Sequence, residues 1–290
     1  MYICNQCPRK CSVDRSEAVG ICGVGQNYKV ARAALHYWEE PCISGKKGSG
    51  TVFFSGCPLK CVYCQNSSIS DGCFGKEISE KRLIEIFKEL EAQGANNINL
   101  VSPTHYAEQL SVTLSKYKPS IPVVYNTGGY DSVDTLKKLE GLVDVFLTDI
   151  KYVSPTVSKK YSRAENYFEV ASKAVLEMRR QQPEDIFEEG ILKKGLIIRH
   201  LVLPGNISQG IKVLEWINGN LSSNTIISLM GQYMPCARAS EYPTINRKIN
   251  HREYETVLSK AEMLGFENVY IQELDSSSEE FIPDFDLQGV

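Results

Sequence analysis

Three cysteines fall within eight residues, Cys57, Cys61 and Cys64, in the stretch FFSGCPLKCVYCQN. The Cys-x3-Cys-x2-Cys spacing wraps a short loop around one face of an iron–sulfur cubane and gives one thiolate to each of three irons. A 4Fe–4S cluster that only carries electrons takes four cysteines, so three imply an iron without a protein ligand. An open iron is where a substrate or cosubstrate binds, as at the vacant position of a catalytic zinc. The competing reading, a zinc knuckle, lacks a nearby fourth ligand.

Nine of the ten cysteines precede residue 75. The opening MYICNQCPRKC has no apolar core of a signal peptide, so a cytoplasmic setting is expected, with metal ligands rather than disulfides. No run of about 18 apolar residues occurs, and no membrane partner is expected. A net charge of −3 and a pI near 5.9 give no reason to expect nucleic acid.

Residues 1–49 read as a cysteine-rich metal-binding extension, either a small module or an arm lying on the main domain. Residues 50–274 alternate strand and helix, and residues 275–290 read as an acidic, mobile tail. Strands are predicted at Thr51–Ser55, Ile98–Val101, Val123–Asn126, Val145–Asp149, Leu196–Val202, Thr225–Leu229 and Val269–Ile271. Helices are predicted at 79–93, 105–116, 131–140, 164–181, 208–218 and 250–264. Short apolar strands separated by amphipathic helices indicate an α/β fold with a parallel sheet and right-handed crossovers. Polar residues at strand ends, Ser102, Asn126, Asp149 and His200, then become site candidates.

With Tyr63 before its last cysteine, the loop resembles that of the radical S-adenosylmethionine (SAM) superfamily, which carries Cys-x3-Cys-x-aromatic-Cys after the first barrel strand. Over residues 51–272 the element order is similar to that superfamily's partial (β/α)6 barrel. The segments SGCPLKCVYCQN (55–66), NINLVSPTHY (97–106), DVFLTDIKY (144–152) and IRHLVLPGN (198–206) resemble the pyruvate formate-lyase activating enzyme-like branch.

The resemblance implies a 4Fe–4S cluster on Cys57, Cys61 and Cys64, with SAM chelating the open iron and cleaved reductively for hydrogen abstraction. It implies Tyr63 beside the adenine, and Asp149 and Lys151 holding SAM or standing near the transferred hydrogen. Ser102, Thr104 and His105 replace the superfamily's Gly-Gly-Glu segment and are expected near the methionyl ammonium. Asn126 is a ribose candidate. Neighbouring strand residues face opposite ways, so one of Arg199 and His200 faces the site, and His200 is the choice.

Cys4, Cys7, Cys11 and Cys22 form a second constellation, read as another 4Fe–4S cluster or a structural zinc, with a lean toward iron–sulfur. Cys42, Cys73 and Cys236 read as isolated buried thiols. The function expected is that of a glycyl-radical-enzyme activase. Its partners would be a glycyl radical enzyme as protein substrate and a one-electron reductant such as flavodoxin or ferredoxin. The alternatives are a radical SAM enzyme with another peptide or small-molecule substrate, and a non-catalytic iron–sulfur electron carrier.

Overall fold

Short buried strands, each passed on through a helix, make most of the chain, described in the computed structural model for residues 3–272, 274 and 283–290. β1 (Ile3–Cys4) and β2 (Val13–Asp14) pair as a small antiparallel ribbon. Then come β3 (Tyr28–His36), α1 (Pro41–Ser44), β4 (Ser49–Phe54), α2 (Ser67–Ser70), β5 (Lys76–Ile78) and α3 (Glu80–Ala92). The alternation continues through β6 (Ile98–Val101), α4 (Ala107–Lys116), β7 (Val123–Thr127), α5 (Val133–Lys137) and β8 (Val145–Asp149). It proceeds with α6 (Pro155–Ser162), α7 (Tyr167–Gln181), β9 (Ile186–Glu188), β10 (Ile191–Leu201) and α8 (Ile207–Asn220). The last elements are β11 (Ile226–Met230), α9 (His251–Met263) and β12 (Val269–Ile271).

The large sheet has the order β12-β11-β10-β8-β7-β6-β4-β3-β5. Along this order from β4 to β12 every pairing is parallel, and β9 pairs antiparallel with β10 off it. Six of these strands, from β4 through β11, form the expected partial barrel, and β12 adds a seventh parallel strand at its edge. The six barrel strands are largely buried on both faces, as in parallel sheets covered by helices, while β12 is half-exposed. Phe146, Ile198, Ile227 and Leu229 pack outward with Val175, Val213 and Ile217 of the helices. Val124, Val145, Leu147, Ile197 and Ile226 point inward and meet Cys42 and Ile43 of α1, which plug that end of the lumen.

Three features were not in the sequence reading. β3, from the predicted extension, belongs to the main sheet and pairs antiparallel with β4. α6 forms where no helix was predicted. In the predicted tail, positions 275–282 lie outside the described residues, but 283–290 are seated on the sheet. Leu287 donates to the Ala31 carbonyl (3.0 Å) and Ala33 to that of Gln288 (2.8 Å). Phe285 meets Phe53 edge-on, with centroids 5.5 Å apart. Among the described residues no helix is long and apolar enough to cross a membrane.

Candidate active site

The cysteine loop starts where β4 ends, and the backbone fixes its path. Gly56 has φ +86°, and a Cβ there would lie 2.7 Å from the Cys22 carbonyl oxygen. Only glycine lets the two cysteine segments approach so closely. The Cys57 N–H donates to that same carbonyl (3.2 Å), and the Val62 N–H donates to Tyr161 (2.9 Å). All the cysteines are free thiols. Cys57 Sγ accepts from the Leu59 N–H (3.4 Å), Cys64 Sγ accepts from Ser70 (3.3 Å), and Cys61 Sγ contacts Ser162 Oγ (3.0 Å).

Burial pushes the Cys57 thiol up to about 11 and the Cys64 thiol up to about 12. A thiolate therefore needs positive charge beside it, which bound iron supplies. Among the described residues no three His, Cys, Asp or Glu side chains are gathered around one ion position. Three free thiols on one short loop are the donor chemistry an iron–sulfur cluster takes. Hydrogen bonds from Leu59 and Ser70 are the kind that tune such sulfurs.

Cys61 and Cys64 open onto a cavity of about 730 Å³ that reaches from the loop to α1. Tyr63 also lines it. The Tyr63 hydroxyl shares a short hydrogen bond with Tyr152, and its ring meets Tyr161 and Tyr233 edge-on. The cavity wall carries Asn126, Asp149, Lys151 and Arg199 from the strand ends. Strand register sets Arg199 level with Asp149 on one side and Ser228 on the other.

Arg199 ties this wall together. Its guanidinium donates to Asp149 (2.9 Å), Asn126 (2.7 Å) and Glu39 (3.4 Å). Lys151 forms a close ion pair with the other Asp149 oxygen. Burial alone would raise Asp149, but Lys151 and Arg199 outweigh it and hold the carboxyl below its usual range. Burial likewise opposes the Lys151 charge, yet Asp149 and Cys61 keep the ammonium above the usual lysine range. The result is an ionised, preorganised polar wall facing the sulfurs.

Four of the expected residues lie off the cavity wall. His200 faces α8 rather than the lumen, and its Nδ1 donates to the Ile150 carbonyl (2.7 Å). Arg199 takes the inward position. His105 is buried away from the cavity, donates from Nε2 to the Ser55 carbonyl (2.8 Å), and is pushed by burial down to about 3, so it braces the loop as a neutral ring. Thr104 hydrogen-bonds Thr127 (2.9 Å), which donates to the buried Asp131 (2.6 Å). Ser102 takes a left-handed φ of +59° and spends its N–H on the Asn126 carbonyl (2.9 Å), outside the cavity wall.

At the N-terminus Cys4, Cys7 and Cys22 are buried. The Cys11 and Cys22 sulfurs lie 3.5 and 3.4 Å from the position a Gly20 Cβ would take. Burial pushes Cys7 up to about 12, with Cys22, Cys11 and Cys4 near enough to add to the rise. Glu39 and Glu40 were missed. They follow the apolar run that becomes β3, where an adjacent acidic pair reads as solvated surface, but the chain turns them inward above α1.

A model of the Radical SAM superfamily matches residues 51–205. An uncharacterized protein of Methanocaldococcus jannaschii is 32% identical over 277 residues, covering 92% of this chain and 76% of that protein. Streptococcus suis SuiB superposes with a TM-score of 0.51 at 11% identity, over 75% of this chain and 47% of SuiB. Its S-adenosylmethionine-bound structure gives a TM-score of 0.51 at 13% identity, over 77% and 47%. A domain of pyruvate-formate lyase-activating enzyme from Bacteroides vulgatus gives a TM-score of 0.39 at 13% identity, over 67% of this chain and 91% of that domain. The chain thus spans about half of SuiB, and at these identities the likeness is one of fold.

Proposed function

Because the chain belongs to the radical SAM superfamily, matched over residues 51–205, we propose that it cleaves SAM reductively and abstracts hydrogen from a substrate, as glycyl-radical-enzyme activases do. The observation that carries this is a single cavity with free thiols at one wall and the Asp149–Lys151–Arg199 network at another. When bound, the 4Fe–4S cluster and SAM supply a 5′-deoxyadenosyl radical. Cys57, Cys61 and Cys64 hold the cluster. Asp149 suits the ribose hydroxyls or ammonium of SAM and Lys151 its carboxylate, while Arg199 positions Asp149 and Asn126. Tyr63, locked among tyrosines, offers a fixed edge for the adenine and keeps water from the loop.

The substrate in this reading is a glycyl radical enzyme, and the electron comes from a flavodoxin or ferredoxin. Cys4, Cys7, Cys11 and Cys22 take a second metal, a 4Fe–4S cluster in preference to zinc. Support comes from the burial of Cys4, Cys7 and Cys22 and from the proximity of Cys11 to them, in a segment with little other core. Iron and zinc analysis of a Cys7→Ser/Cys11→Ser variant checks this. Loss of four irons per chain is expected, whereas loss of one zinc would favour the structural ion.

The main test is anaerobic. Protein reconstituted with iron and sulfide, then reduced and given SAM, is expected to form 5′-deoxyadenosine, and Cys61→Ala to form none. A fully loaded, reducible cluster that neither cleaves SAM nor changes its electron paramagnetic resonance on SAM addition would mean simple electron transfer. An added glycyl radical enzyme should acquire a glycyl radical signal; failure there, with SAM cleaved, would point to another substrate.

A further inference from the structure

Resting on that radical SAM reading, we propose that the α1 end of the cavity is a recognition subsite for a cationic group of the substrate, an ammonium or guanidinium, held by Glu40 against an aromatic wall of Tyr37 and Trp38.

Charge is the first support. The cavity is lined by three carboxylates, Glu39, Glu40 and Asp149, and by two cations, Lys151 and Arg199. Asp149 pairs with both cations, and Glu39 shares Arg199. Glu40 makes no ion pair within 4 Å among the described residues, and the positive charge acting on it is the Arg199 already shared by Asp149 and Glu39.

Unmet hydrogen bonding is the second. Glu40 is 7% exposed, and its Oε2 has no hydrogen-bond partner. Ser228, one strand from Arg199, lies beside it as a hydroxyl able to donate to the carboxyl. Buried polar atoms are ordinarily satisfied, and the ionised Glu40 oxygen, on the cavity wall, can only accept. An anion or a neutral acceptor would add to the deficit; a group that brings several N–H donors and a positive charge removes it.

The third is the wall. Tyr37 and Trp38 line the same end, on the segment that carries Glu40. Both rings are half or more exposed; aromatic faces attract cations, and with a carboxylate on the same cavity they favour ammonium-type ligands over anions.

The test uses anaerobically reconstituted protein with SAM present, titrated calorimetrically with butylamine, butylguanidine and the uncharged control butanol. At least one cation is expected to bind about tenfold tighter than butanol, as a charge-assisted hydrogen bond implies. Glu40→Gln should reduce that preference to near parity, and Glu40→Asp should restore part of it. Equal binding of all three probes, an unchanged preference in Glu40→Gln, or displacement of the cation by saturating SAM would overturn the subsite. Wild-type 5′-deoxyadenosine formation is read in parallel. If it is absent from a loaded cluster, the underlying radical reading fails; if it is present without cation preference, the subsite alone fails.

Discussion

Arg199 shows how one side chain sets a site. Its planar fork spans Asp149, Asn126 and Glu39 at once, a task for which the point charge of lysine is a poor substitute. Arg199→Met is expected to lower unfolding free energy by about 3–5 kcal/mol, because it strands buried carboxylates. Arg199→Lys should recover only part, as read from urea denaturation. Glu40 gives the opposite sign. It is a buried carboxyl without an ion pair, and burial raises it above the usual carboxylate range. Glu40→Gln should therefore raise the melting temperature, by about 2–4 °C for each kcal/mol gained; a fall would mean that Glu40 already has a stabilising partner. Neither role was readable in the sequence. The run Leu196–Val202 is buried on both faces, so hydrophobicity does not reveal which phase faces the lumen, and His200 and Arg199 are told apart only by what packs outside. The loop cysteines were legible because their spacing alone carries the chemistry.

Among the elements, α9 has the most clearly built N-terminus. The Asn250 side chain accepts from the Glu253 N–H, and Glu253 accepts in return from Asn250. Glu253 also accepts from the Gly205 N–H (2.8 Å) and from both ends of the Arg247 guanidinium (2.6 and 2.7 Å). It thereby joins the turn after β10 to the start of α9. Arg247 above all holds the Glu253 carboxyl down to about 2, against an ordinary value of 4.5. A carboxyl depressed in the folded state stabilises fully above its unfolded value, and that contribution fades as pH falls through the folded one. Melting curves between pH 5 and 2 (about the window these values define) should therefore be steeper for wild type than for Glu253→Gln, and an identical slope would remove the cap from the account. The helix was predicted at 250–264 because its caps lie in its own sequence. α6 was not, because its eight residues are held by packing under the cysteine loop, where Val62 donates to Tyr161.

At the scale of the molecule, the order of parallel strands was legible because each is a short apolar run closed by a helix. The two ends of the sheet were not. β3 looked like part of a metal-pinned segment because it lies among cysteines, and its partners lie elsewhere in the chain. Its outer edge takes β5 at Tyr28–Val30 and then residues 286–290 beyond it. Arg32 closes the contact, reaching the Asp284 carbonyl and Asp286 carboxylate at 2.8 Å each. An open strand edge invites pairing with other chains. Removal of residues 283–290 should lower the melting temperature and increase self-association in light scattering. A monomer of unchanged stability would show that the edge needs no cover.

That clasp also has a consequence for how the protein is made. Arg32 and Asp286 are 254 positions apart. A ribosome adding about 5–20 residues per second therefore delivers the second roughly 10–50 s after the first. β4 and β5 can join β3 early, while the rest of its rim waits for residues some 254 positions further on. For that interval the nascent protein carries an unfinished border, and the sheet locks there only once residues 287 and 288 have emerged and reached β3.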